Sequence, residues 1–230
     1  MSPETSTPLE TFMPSRHLLA LALVVAASAL LLYPILRGYA VEDGTDAAQL
    51  YARSAWLWSH VLAMGGFALV AWGLSAVDVW AHRLAVVGVA LLLPYYGAEA
   101  FGLHAMGRRV LETGTPEVLQ EQVGAADLFR FEPVAVTTFG LGWLALAVVG
   151  VRLLLMLRPA GRWERTGLVL TAAALLTYLP QFFLPPAGRI AHAVVAAVGL
   201  GLLAIMLARG SDRTASATSS ADPPPHGEAS

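Results

Sequence analysis

The chain contains no cysteine and no lysine. Without a thiol there is no disulfide, no thiolate nucleophile and no cysteine-held zinc or iron–sulfur cluster. Without lysine, Schiff-base chemistry and lysine-dependent phosphate loops are excluded. Charge of either sign is scarce. Charged residues make up 13% of the chain, against about 25% in a soluble domain. With a net charge of −2 and no basic stripe, nothing offers itself to a nucleic-acid backbone. Also missing are a glycine-rich phosphate loop, a Gly-x-Ser-x-Gly elbow and an aspartate-rich diphosphate motif. The His-x-x-x-His, His-Glu-x-x-His and Glu-x-x-His spacings, which build a metal site on one helix, do not occur either, so no metal is expected.

What is present is apolar surface: 57% hydrophobic residues and a mean hydropathy of +0.63. A membrane-spanning helix needs ~20 predominantly apolar residues. Six segments qualify, at 17–36, 55–77, 84–104, 133–151, 166–184 and 190–208, each bounded by arginine, Asp78 or turn residues such as Pro185-Pro186-Ala187-Gly188. The expected fold is an all-α, polytopic membrane bundle of six transmembrane helices at 17–208. A tail at 1–16 and a disordered Ser/Thr/Ala/Pro-rich tail at 209–230 flank it. Arg16 and the small residues Gly38-Tyr39-Ala40 give the first segment some features of a signal peptide. Its apolar run exceeds the usual 7–15 residues, so a retained span is expected.

Three of the segments repeat a leucine run beside a proline: Leu30-Leu31-Leu32-Tyr33-Pro34, Leu91-Leu92-Leu93-Pro94 and Leu175-Leu176-Thr177-Tyr178-Leu179-Pro180. The echo suggests three helical hairpins, each with a proline that frees a backbone carbonyl near one depth. Between the spans, Thr115-Pro116-Glu117 reads as an N-cap, a first-turn proline and a first-turn acid of a short connecting helix. Glu132-Pro133 reads as another helix start.

Arginine sets the orientation. One side of the bundle holds Arg16, Arg83, Arg152, Arg158, Arg162, Arg165, Arg209 and Arg213, eight in all; the other holds Arg37, Arg53, Arg108, Arg109, Arg130 and Arg189, six. The densest cluster lies in the short fourth loop, where the positive-inside rule counts most. Both termini are therefore expected in the cytoplasm of a multi-pass cell-membrane protein.

On that orientation the polar residues inside the spans gather toward the outer face: His60, Tyr95, Tyr96, Glu99, His104, Gln181 and His192. An ionisable group at the centre of a membrane helix costs at least ~2.5–3.5 kcal/mol, so several at one depth suggest a polar pocket. Glu99 lies ~8 Å inside the outer boundary. There it reads either as a neutral, proton-donating acid or as half of an ion pair with Arg37 or Arg189. Tyr95 and Tyr96 share its part of the helix, and His60 sits at similar depth on another helix. The expectation is an enzyme acting on a lipophilic small molecule, with Glu99, His60, Tyr95 and Tyr96 catalytic and Gln181, His192 and His104 binding the substrate. Proton-initiated cyclisation or isomerisation suits such a pocket. The partners are then the bilayer and a lipophile, and no cofactor is required. Two alternatives stand beside this: a redox subunit using His60 and His192 for haem or quinone, and a proton-coupled transporter or accessory subunit.

Because the chain lacks native cysteine, topology can be read directly. Cysteines introduced at Thr115 and Gly161 should label from outside and inside respectively, and the reverse pattern would overturn the orientation.

Overall fold

Helix α1 (Arg16–Arg37) begins where the Ser15 hydroxyl accepts the Leu18 N–H and ends at Gly38, whose φ of 75° is a conformation that L side chains rarely adopt. The computed structural model describes residues 14–42, 44–157 and 161–219, and over these it is all helical. After α1 come α2 (Gly44–Ala52), α3 (Ser54–Gly73) with a 3₁₀ turn at Leu74–Ala76, and α4 (Val79–Gly97). A π-helical stretch, Ala98–Leu103, joins α4 to α5 (His104–Thr113) without a break. Then follow α6 (Pro116–Arg130), α7 (Pro133–Leu155), α8 (Arg162–Leu176), the short α9 (Tyr178–Gln181) and α10 (Pro186–Ser219).

Several starts follow from local chemistry. Thr115 accepts the Val118 N–H ahead of Pro116, and Glu132 accepts the Ala135 N–H ahead of Pro133, so both expected helix starts are found. Asp78 caps α4 by accepting from Ala81.

Five helices are long and apolar enough to cross a membrane: Arg16–Arg37, Ser54–Ala76, Val79–Thr113, Pro133–Leu155 and Pro186–Gly210. The segment expected at 166–184 is not one of them. It divides into α8 and α9 at Thr177, whose hydroxyl bonds back to the Ala173 carbonyl, three residues before Pro180. The three prolines thus act differently: Pro34 lies inside an unbroken α1, Pro94 precedes the π stretch, and Pro180 follows a break. The last helix runs to Ser219, past the boundary at 209 expected for the tail, while residues 220–230 and 1–13 lie outside the described residues.

The long helices pack in chain order around a ring: α1 on α3, α3 on α4, α4 on α7, α7 on α8, α8 on α10, and α10 back on α1. Helices α1 and α3 run antiparallel, as do α8 and α10. Gly66 faces Leu30 while Gly73 faces Leu23, and Gly167 faces Leu202 while Gly199 faces Thr171. The ring interior is a continuous apolar core from Leu19 to Leu207. At one end α2, α5 and α6 pack together as a cap, with Gly107 against the backbone of Ala48 and Ala52. A second small core, Ala47, Leu50, Tyr51, Trp56, Leu103 and Ala126, fastens this cap to the ring.

The glycines of these helices differ in how closely a neighbouring helix approaches them. Gly65 and Gly201 have open space where a Cβ would stand. At Gly199 a Cβ would lie 2.6 Å from the Thr171 backbone nitrogen, which cannot yield as a side chain can. Gly199→Ala should therefore cost about 1–3 kcal/mol of stability through overpacking. Gly201→Ala should be neutral or gain up to ~1 kcal/mol of helix propensity. Thermal unfolding of the two variants in detergent checks this, and equal stability would contradict the assigned packing.

Candidate functional site

At the capped end, helix geometry and charge meet at Glu99. Counting 1.5 Å per residue from Val79, Glu99 lies ~30 Å along its helix, about one hydrocarbon thickness from the opposite end. It sits in the π stretch, a backbone form that occurs mostly as single-turn insertions, frequently at functional sites. Its carbonyl accepts the indole N–H of Trp56 at 2.8 Å, and Trp56 is wholly buried.

The Glu99 carboxylate is half of an ion pair. Both oxygens accept from Arg130 of α6, at 2.8 and 3.2 Å. The pairing partner is thus Arg130, not Arg37 or Arg189. Arg130 also reaches Glu42 at 2.7 Å, and Glu42 reaches Arg37 at 2.6 Å. Tyr51 joins the chain by donating to Glu42 at 3.1 Å and accepting from Arg130 at 3.0 Å. His60 closes it, with Nε2 3.7 Å from Glu99 Oε2. Five ionisable side chains from α1, the segment after it, α3, the π stretch and α6 therefore form one sequence: Arg37, Glu42, Arg130, Glu99, His60.

The His60 ring is fixed in orientation. Nδ1 lies 2.8 Å from the Trp56 carbonyl, which can only accept, so Nδ1 carries hydrogen and the Nε2 of the neutral ring is the free lone pair. Tyr33 and Trp56 pack against the ring at centroid distances of 5.3 and 4.4 Å.

These residues line a cavity of about 420 Å³, within the usual range for small-molecule sites. His60, Glu99, Tyr95, Tyr96, Tyr33, Arg37, Glu42, Arg130 and Arg189 form its polar wall, and Phe131, Phe139, Leu179, Phe182 and Phe183 its apolar wall. The Tyr96 side chain is buried, with the Tyr33 and Tyr178 side chains beside its hydroxyl. Tyr95 lies against Phe139, with ring centroids 4.2 Å apart.

The structure thus brings Glu99, His60, Tyr95 and Tyr96 to one cavity. Gln181 and His192 line a narrower crevice beside it, which shares Tyr33, Arg37, Phe182 and Arg189. His192 Nε2 donates to the Ala174 carbonyl at 3.0 Å. His60 and His192 accordingly face different crevices and hold different carbonyls. His104 is in neither crevice; its Nδ1 donates to the Tyr51 carbonyl and ties α5 to α2. Among the described residues no group of three or more His, Asp and Glu side chains is placed to hold a metal ion.

Sequence reasoning missed Glu42, Arg130 and Tyr51. All three lie outside the apolar segments, where a charge needs no special explanation. One available signal was Arg130's position two residues before the Glu132-Pro133 helix start, which puts it at the same mouth as Glu99.

Comparison with protein-family models, with curated proteins and with solved structures finds no match to this chain.

Burial by itself would raise the Glu42 pKa, but Arg37 and Arg130 outweigh it and hold the carboxyl below its usual value. Because the folded-state value is the lower one, these contacts stabilise the cap at neutral pH. That stabilisation is lost as pH falls below the ordinary carboxylate range of ~4.3 toward the folded-state value. Melting temperature in detergent should therefore fall as pH drops below about 4.3. Glu42→Gln should be less stable at pH 7 and flatter in that window; the same slope in both proteins would remove Glu42 as the cause.

Proposed function

We propose that this membrane protein is an enzyme that isomerises a lipophilic small molecule by proton transfer in the cavity at the Glu99 end. The observation that carries the reading is the His60–Glu99 geometry: a buried imidazole with Nδ1 committed to a carbonyl and Nε2 facing an ion-paired carboxylate at 3.7 Å. Such a ring can take a proton at Nε2 and be stabilised as imidazolium by the neighbouring carboxylate. A C–H bond next to a substrate carbonyl would break, its proton going to Nε2 and its electron pair toward the carbonyl oxygen. The Tyr96 hydroxyl, on the same cavity, would be the donor to that oxygen. Return of the proton to a different carbon completes the isomerisation, with atoms and electrons balanced and no cofactor consumed. The sequence reading starts both cyclisation and isomerisation from Glu99 as a neutral acid; the two hydrogen bonds that Glu99 accepts from Arg130 favour instead an isomerisation begun at His60.

Entry from the bilayer is supported by the exposed apolar rim: Phe183 is 87% and Phe131 72% exposed. Tyr95, Phe139 and Phe182 would hold the apolar body of the substrate. Gln181 and His192, in the adjoining crevice, would contact a longer substrate, and His104 would act through the cap it holds. The partners in this reading are the lipid bilayer and the lipophile.

Six crossings are part of the proposal. In its support, α7 ends beside the Arg152–Asp78 pair while α10 begins with Arg189 packed over Tyr39 at the cavity end. The chain between them returns through α8, which lies antiparallel to α10. The arginine distribution then puts both termini in the cytoplasm and the cavity on the outer face of the cell membrane.

The test begins with whatever lipophile copurifies with the protein, identified by mass spectrometry. Incubated with that compound in D2O, wild-type protein should exchange deuterium into it. His60→Gln should slow exchange by at least 10²-fold, the usual scale for a general acid–base group. Exchange at the same rate in both proteins would sink the assignment of His60 as the base.

A further inference from the structure

A separate cavity lies at the opposite end of the bundle, remote from the proton-transfer site. It is a groove of about 500 Å³ between the start of α8 and the last membrane turns of α10, lined by Gly161, Arg162, Trp163, Glu164, Leu202, Ile205, Met206, Arg209 and Gly210. It has two chemically distinct levels. Ile205, 47% exposed, with Leu202 and Met206, forms an apolar floor facing the membrane. Above it stand Arg162, Arg209 and the exposed indole of Trp163.

The charges at the upper level do not cancel. Arg152, at the same end, is neutralised by Asp78 at 2.8 Å. Arg162 packs over the Trp163 ring at 4.9 Å, and among the described residues neither Arg162 nor Arg209 has a carboxylate within ion-pair distance. The one acid in the groove is already engaged, since Glu164 accepts the Gly161 N–H at 3.0 Å. Two arginines without a counter-ion thus stand directly above an apolar slot, with a tryptophan at the boundary. Trp belongs at the headgroup level of a bilayer, and basic pockets between membrane helices suit anionic headgroups. We infer that this groove is a binding site for an anionic phospholipid, its phosphate held between Arg162 and Arg209, its acyl chain along Leu202, Ile205 and Met206.

The charge complementarity favours a net negative headgroup over a zwitterionic one, in which choline would bring a third cation to the pair. The inference does not depend on the proposed enzymatic activity, because it shares no residue with the cavity at Glu99.

Native mass spectrometry of the full chain, released from bilayers of equal phosphatidylcholine and phosphatidylglycerol, tests it. Wild type should retain phosphatidylglycerol in preference to phosphatidylcholine. Arg162→Gln and Arg209→Gln should each weaken that retention about fivefold, and the double variant roughly twenty-five-fold, as expected for one arginine near an anionic headgroup. Arg83→Gln, a change at the same end but outside the groove, should leave retention unchanged, and matched melting temperatures confirm that each variant is folded. Millimolar inorganic phosphate should not displace the lipid, because the acyl slot contributes to binding. Equal retention of both lipids, an equal loss in Arg83→Gln, or displacement by inorganic phosphate would overturn the assignment.

Discussion

Arg130 stands between two carboxylates, Glu42 and Glu99, that come from different parts of the chain. With side-chain exposures of 11% for Arg130 and 9% for Glu99, this contact is far less screened than a surface pair. A buried pair contributes little net stability once desolvation is counted, yet removing one partner costs about 3–5 kcal/mol because the other charge is left uncompensated. The contact therefore acts mainly on position. It holds α6 at the mouth, aligns the Glu99 carboxylate, and through Glu42 and Arg37 fixes the first connection as well. The cavity floor comes from the ring of helices, but its polar wall is set by this one cation.

The π stretch makes that alignment possible. Pro94 has no N–H, so the carbonyl of Ala90 loses its normal partner, and within four residues the helix relaxes to the wider form. With 3.6 residues per turn, Glu99 and His104 would point ~140° apart. In the wider turn, i→i+5 bonding brings residues five apart toward one face. Both side chains here reach the cap: His104 bonds the Tyr51 carbonyl, while Glu99 pairs with Arg130, which itself bonds the Tyr51 hydroxyl. Regular helical geometry, applied to the sequence, separates two residues that work on the same neighbour.

What was legible follows from this distinction. Long apolar runs report burial in a membrane directly, so the helical class and the clustering of Glu99, His60, Tyr95 and Tyr96 could be read from hydropathy and depth. Capping was legible because it is local, as Thr115 and Glu132 show. The pairing of Glu99 was not, since Arg130 is 31 residues away and lies in a connection where arginine is ordinary. Nor was the split at Thr177, where the hydroxyl turns back to Ala173 in competition with continued helix. Gly199 and Gly201 are alike as residues, and only the identity of the facing helix tells them apart.

Charge pairs occur at both ends, but burial gives them different work. Arg152 is 39% exposed beside Asp78, so that pair is screened by water and contributes little to stability. Asp78 matters there chiefly as the cap of α4. At the Glu99 end the orientation of His60 and of the helix carrying Glu99 rests on a neutral residue. The carbonyl of Trp56 takes the Nδ1–H of His60, and its indole N–H holds the carbonyl of Glu99. One side chain and its own backbone thus fix both the imidazole and the helix that carries the carboxylate. Neither bond belongs to the chain of ion pairs, because neither the Trp56 carbonyl nor its indole N–H titrates.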